Sequence, residues 1–145
     1  MAIRVSKVDV WSGTMPDQPG ALDAILASLA KAGANLECVI GRRQPHQPGQ
    51  GHVYLTAVKG KKAQKAAEAA GLHRADNLGT LRVETPNKPG AGHAVLEAIA
   101  GAGVNVRGIS AIALGAKAVA YIGFDSPEDA ARAAAAIKAA GKAKR

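Results

Sequence analysis

An α+β chain made of two copies of one small unit is predicted by an internal repeat, by the order of its periodic segments and by its length. Asp17-Gln18-Pro19-Gly20 returns as Asn87-Lys88-Pro89-Gly90, and Gly33-Ala34-Asn35-Leu36 returns as Gly103-Val104-Asn105-Val106. The shift is from 17 to 87 and from 33 to 103, an offset of 70 in a chain of 145 residues. A repeat of that period marks a duplicated supersecondary unit. The boundaries expected from it are 1–73 for the first unit and 74–145 for the second, which carries a basic C-terminal tail.

Each unit reads strand, helix, strand, strand, helix. Alternating apolar residues (Ile3, Val5, then Val8, Val10) predict one strand over 3–11, and the turn 15–20 ends it. Leu22, Ile25, Leu26 and Leu29 then follow helical spacing up to Gly33, where a left-handed residue closes a helix. Leu36–Gly41 and His52–Val58 are strands joined by a Pro- and Gly-rich loop, and Lys61–Ala70 is an Ala-rich helix ending at Gly71. The second unit repeats the order: a strand around Leu81 and Val83, a turn over 86–90, a helix with Val95, Leu96 and Ile99, strands over 105–113 and 118–124, and a helix from Ser126. Ser126 can cap that helix, Pro127 fits its first turn, and Glu128 and Asp129 complement the positive end of its dipole. The closing strand of each unit is left open, because residues 78–84 already serve as the second unit's first strand. With closing strands, the order βαββαβ predicts two ferredoxin-like units, each an antiparallel sheet with helices on one face.

Composition narrows the function. Aromatics are 3% of the chain, which leaves little surface for stacking bases and weighs against single-strand nucleic-acid binding. The net charge of +8 is spread over both units and the last residues, Lys138 to Arg145, as solvated faces and a tail. Cys38 is alone, so no intrachain disulfide forms, and no apolar stretch reaches the roughly 20 residues that span a bilayer. A cytoplasmic protein is expected.

The turns Asp17-Gln18-Pro19-Gly20-Ala21-Leu22 and Asn87-Lys88-Pro89-Gly90-Ala91, each followed by an apolar helix and then Gly33-Ala34-Asn35 or Gly103-Val104-Asn105, resemble the ACT domain. That regulatory module is attached to enzymes of amino-acid metabolism. The likeness covers nearly the whole chain as a tandem pair with no enzyme domain. It departs from the family pattern at Asn87, where Asp is usual, and at Gly92, where Leu is usual. The resemblance implies an amino acid held at the interface between units, allosteric regulation of a partner enzyme, and a homo-oligomer, with a dimer expected. By position, Asp17 or Asn87 would accept from the ligand's ammonium group. Backbone groups of Gly20, Ala21 and Leu22, or of Gly90 and Ala91, would offer donors, with Gln18 and Lys88 as further ligand-binding residues of the same turns. Asn35 or Asn105 would bond either end, and Val39, Ile40 and Ile109 would line the side-chain slot. The residues themselves allow a plainer role, in which Asp17 and Asn87 cap helices and Asn35 and Asn105 occupy turns. The first turn keeps the fuller pattern and is the favoured site.

Other chemistry finds less support. His46 and His52 match no zinc spacing, Gly101-Ala102-Gly103 follows a helix where a dinucleotide fingerprint would precede one, and no nucleophile elbow or carboxylate pair occurs. Arg42, Arg43, Lys59, Lys61, Lys62 and Lys65 read as a solvated basic surface. The expectation is a regulatory binding protein without catalysis, cofactor or metal, with membrane contact not expected and nucleic acid disfavoured. The alternative is an interaction or oligomerisation module that takes no ligand.

Overall fold

The computed structural model describes residues 2–143, which form β1 (Arg4–Val8), β2 (Trp11–Pro16), α1 (Ala21–Lys31), β3 (Cys38–Arg43), β4 (Gln50–Thr56), α2 (Lys61–Ala69), β5 (His73–Arg74), β6 (Gly79–Pro86), α3 (Ala91–Gly101), β7 (Gly108–Leu114), β8 (Lys117–Phe124) and α4 (Pro127–Ala143). They make two antiparallel sheets, ordered β3-β4-β2-β5 and β1-β6-β8-β7. Read from its other edge, the second is β7-β8-β6-β1, so strand by strand the two sheets match, with β1 standing where β5 stands in the first. Both units are ferredoxin-like.

The strand expected over 3–11 is in fact two strands in two sheets. β1 pairs with β6, Arg4 opposite Glu84 through Val8 opposite Thr80, whereas β2 pairs with β4 and β5. Compact unit one is therefore Asp9–Ala75, and unit two joins residues 2–8 to those from Asp76 onward. The apolar alternation slips phase within β1 itself, so it does not mark the break, which falls at Asp9 and Val10 between the two strands. Val5 lies opposite Val83, a core residue, while Val8 lies opposite Thr80 on the other face. A single strand cannot bury both on one side. The closing strands left open by the sequence are thus β5, two residues long, and β1, taken from the far end of the chain.

Each sheet buries one face beneath its helices. In unit one, Trp11, Val53 and Leu55 pack against Ile25, Leu29, Ala63 and Ala67. In unit two, Leu81, Val83, Ile122 and Phe124 pack against Val95, Ile99, Ala133 and Ile137, with Ile3 and Val5 of the β1 segment laid on the cluster. Each fully buried side chain of this size contributes about 1.5–3 kcal/mol. Alanine on the helices brings them close to the sheet. At Gly79 the approach is so tight that a Cβ would sit 2.5 Å from the Ala130 Cβ and 2.8 Å from the Ser126 carbonyl oxygen. The α4 start follows its sequence: the Asp129 N–H donates to Ser126 Oγ at 3.1 Å.

The β3–β4 and β7–β8 connections differ. The first is a loop over 44–49, closed by Gln44 N–H to the Gln50 carbonyl at 3.1 Å. β3 begins later than expected, at Cys38, and runs on through Arg42 and Arg43. The second turns through Gly115 and Ala116 alone, Gly115 taking φ 61°.

Candidate functional site

The duplicated turns are the same backbone structure twice. Gly20 opens α1 at φ 84°, ψ −7°, and Gly90 opens α3 at φ 84°, ψ −6°, a left-handed conformation that any L side chain resists. The bonds within the turns correspond pair by pair: Ala21 N–H to the Gln18 carbonyl and Ala91 N–H to that of Lys88, then Ala24 N–H to Gly20 and Ala94 N–H to Gly90. Asp17 N–H bonds the Gly49 carbonyl and Asn87 N–H that of Ala116, both at 2.9 Å, which fixes each turn to the neighbouring hairpin.

Among the described residues no side chain caps either helix. Asp17 accepts from Arg43 Nε at 2.7 Å instead, and Asn87 Nδ2 donates to the Gly115 carbonyl at 3.1 Å. The capping role open to Asp17 and Asn87 on sequence grounds is therefore not the one they take. Of the expected donors, Ala21 and Ala91 use their N–H groups inside the turn. The first-turn N–H groups without a backbone partner among the described residues belong to Leu22 and Asp23 in α1 and to Gly92 and His93 in α3. Asp23, Gly92 and His93 were missed by sequence reasoning, which counts donors from the glycine without knowing which one the turn itself consumes. Because the donor is main chain, Gly92 costs the second turn nothing in hydrogen bonding. Such N–H pairs, at the positive end of a helix dipole, favour a carboxylate by about 0.3–1 kcal/mol each turn.

The structure separates some residues that the sequence grouped. Asp17, Gln18, Gly20, Asn87, Lys88 and Gly90 lie exposed along the two turns, and Leu22 is half-buried against the core of its unit. Asn35 and Asn105 are exposed in the segments leading to β3 and β7, neither at positive φ. Val39 is opposite Leu55 and Ile109 opposite Ile122, both facing the helices, whereas Ile40 is opposite Tyr54 on the other face. Val39 and Ile40 therefore cannot line one slot, since adjacent strand residues alternate. Val39 and Ile109, at equivalent positions of the two sheets, remain 38% and 46% exposed, each on an edge strand of its own unit.

Unit two has a charged cluster on its helix-free face. Glu84 accepts from Arg82 Nη1 at 3.0 Å and meets Lys117 Nζ at 2.9 Å. Lys117 first, then Arg82, hold the carboxyl below the usual glutamate range. In unit one the equivalent ground holds His52, whose Nδ1 is 2.8 Å from Gln44 Nε2, and burial together with His73 lowers its pKa. Among the described residues no three His, Cys, Asp or Glu side chains are placed to hold a metal ion, and no helix is long and apolar enough to cross a membrane.

Sheet order, helix placement and the doubled Gly-opened turn define the fold of a tandem ACT-domain protein. Solved structures with this arrangement include protein BT0572 from Bacteroides thetaiotaomicron, at 20% identity and TM-score 0.76 over 92% of this chain and 88% of that one. The regulatory subunit of aspartate kinase from Thermus thermophilus, in its ligand-free form, matches at 18% identity and TM-score 0.67 over 97% of both chains. Aspartokinase III of E. coli, solved with lysine and aspartate, matches at 12% identity and TM-score 0.60 over 96% of this chain and 32% of its own. No protein-family model and no curated protein matches the sequence.

Proposed function

We propose that the protein is a regulatory binding module, not an enzyme, that takes a small amino acid at the Gly20 or Gly90 turn. The observation that carries this reading is the doubled turn itself: two uncapped helix starts with identical backbone, each with two free N–H groups for a carboxylate and a polar side chain beside them. The ammonium group would meet Asp17 or Asn87, and the opposite wall would be the edge strand of a second ACT-like unit, presenting Val39 or Ile109. Asn35 and Asn105 are the remaining polar contacts. The donors alone fall far short of the roughly 8 kcal/mol of micromolar binding, so burial of the ligand must supply the rest. Occupancy would bias the assembly or activity of a regulated partner only through unequal affinity for its states. A melting screen against the common amino acids tests the reading: a ligand at about 100 times its Kd adds about 2.7 kcal/mol and raises Tm by about 5–10 °C. No shift with any amino acid would defeat it.

A second reading, an interaction module without ligand, is favoured by β7. This edge strand, Gly108–Leu114, holds no charged residue, and Ile112 and Leu114 are 70% and 79% exposed. Unprotected apolar edges invite pairing with another chain. Concentration-dependent association abolished by Ile112→Lys, with no amino-acid shift, would select it.

A further inference from the structure

The sparse aromatics look different once the sheets are assembled. On β4, Val53 and Leu55 point into the helix-covered core, so His52 and Tyr54 stand on the opposite, helix-free face. Their rings lie against each other, centroids 4.6 Å apart and planes 43° to one another. β4 is an inner strand, flanked by β3 and β2. Register places Arg42 and Thr14 on either side of His52, and Ile40 and Ser12 on either side of Tyr54, with His73 of β5 beyond Ser12. Not one of these residues is acidic. Arg42, Thr14 and His73 are exposed, and Tyr54 is 37% exposed. Gln44 bonded to His52 holds the imidazole in place beside the tyrosine. The helix-free face of unit two differs: Glu84 engages its cations, and Tyr121 lies opposite Arg82.

A four-stranded sheet whose inner strand presents two neighbouring aromatic rings, edged by a cation and with no carboxylate among the residues around them, has the chemistry that takes single-stranded nucleic acid: bases stack on exposed rings and phosphates meet arginine. We propose that the helix-free face of unit one binds single-stranded nucleic acid, with a base stacked on Tyr54 beside His52 and a backbone phosphate at Arg42. The charge of +8 complements a polyanion but is shared with the rest of the chain, so charge alone cannot localise binding. Stacking can. This role is independent of the amino-acid turns, none of whose N–H donors lies on that face.

The test is fluorescence anisotropy of the full chain with a labelled oligouridylate of about 12 nucleotides, an oligothymidylate of the same length, and a DNA duplex, over rising salt. The expected result is tighter binding of the single strands than of the duplex. Tyr54→Ala should weaken that binding about tenfold while Tyr54→Phe preserves it. Arg42→Gln should reduce the slope of log K against log salt by about 0.7. Thr14→Glu, an exposed position next to His52, should abolish binding by placing a carboxylate on the face. Replacing Lys59, Lys61, Lys62 and Lys65 by Gln should leave the preference for single strands. Trp11 emission and the melting curve establish that each variant is folded, and Thr14→Glu and Tyr54→Phe serve if Tyr54→Ala is not. Absence of binding at low salt, a duplex bound as tightly as the single strands, or folded Tyr54→Ala and Thr14→Glu binding like the unaltered chain would each overturn the proposal.

Discussion

Arg43 Nε donates to Asp17 Oδ2 at 2.7 Å, which ties the end of β3 to the turn before α1 and places a guanidinium on the carboxylate that an amino acid's ammonium group would use. The second turn has no such competitor, because Asn87 bonds the Gly115 carbonyl. Arg43 is 82% exposed, so the pair contributes at most about 1 kcal/mol to stability. Arg43→Ala should therefore change the urea midpoint little, yet enlarge any amino-acid-induced rise in Tm that arises at the first turn. An unchanged rise in Arg43→Ala but a reduced one in Asn87→Ala would place binding at the second turn.

Glu84 predicts a pH dependence. Its folded pKa is depressed, by Lys117 and then Arg82, so the unfolded chain binds the proton more readily. The stabilisation is present above the ordinary glutamate value and is lost as pH falls through the lower folded value. Glu84→Gln should lower stability at neutral pH and flatten the acid limb of a plot of melting temperature against pH. An acid limb as steep as the parent's would show the cluster to be energetically idle.

His52 titrates in a higher window with the same sign. Its folded pKa lies below the ordinary histidine value because of burial and His73, so stability falls as pH drops from about 6.5. With Gln44 Nε2 as donor, Nδ1 is the acceptor and the ring proton sits on Nε2; protonating Nδ1 breaks that bond. The His52 ring should show a depressed pKa by NMR titration, moving toward normal in His73→Gln.

Gly79 and Gly92 should respond oppositely to alanine. At Gly79 a Cβ collides with Ala130 and the α4 start, and overpacking of this kind costs about 1–3 kcal/mol. At Gly92, inside α3, nothing lies within 4 Å of the added methyl, and the substitution should stabilise by about 0.4–1 kcal/mol. Chemical denaturation of the two variants checks both signs.

Val5 tests the borrowed strand. It lies opposite Val83 and packs on the unit-two core, so Val5→Asp should cost at least about 2 kcal/mol and expose the β6 edge. Hydrogen exchange should accelerate at the β6 amides around Arg82 and Glu84 while protection at Val53 and Leu55 persists. Uniform loss across both sheets would contradict the assignment of β1 to unit two.

Much of this was legible in the residues. The repeat of Pro19-Gly20 and Pro89-Gly90, the helical spacing of Leu22 to Leu29 and the Ser126 cap are local signals, and the elements they mark stand where expected. The apolar positions Ile3, Val5, Val8 and Val10 were also in the sequence, but periodicity alone marks neither the break between β1 and β2 nor the sheet that each joins. At the turns, residue types and spacing pointed to the helix starts, while the use of the Ala21 N–H inside the turn became visible only in its backbone bond to Gln18.

Two βαββα units opened by glycine turns could be read directly from the residues, because turn chemistry and hydrophobic period act over a few residues. The assembled sheets were needed to show that β1 closes the second sheet, that Asp17 is held by Arg43, that Val39 and not Ile40 faces the helices, and that His52 and Tyr54 meet on the helix-free face. Each of these depends on pairing between residues far apart in the chain, and a pleated strand discloses its partners and its register only when the sheet is formed.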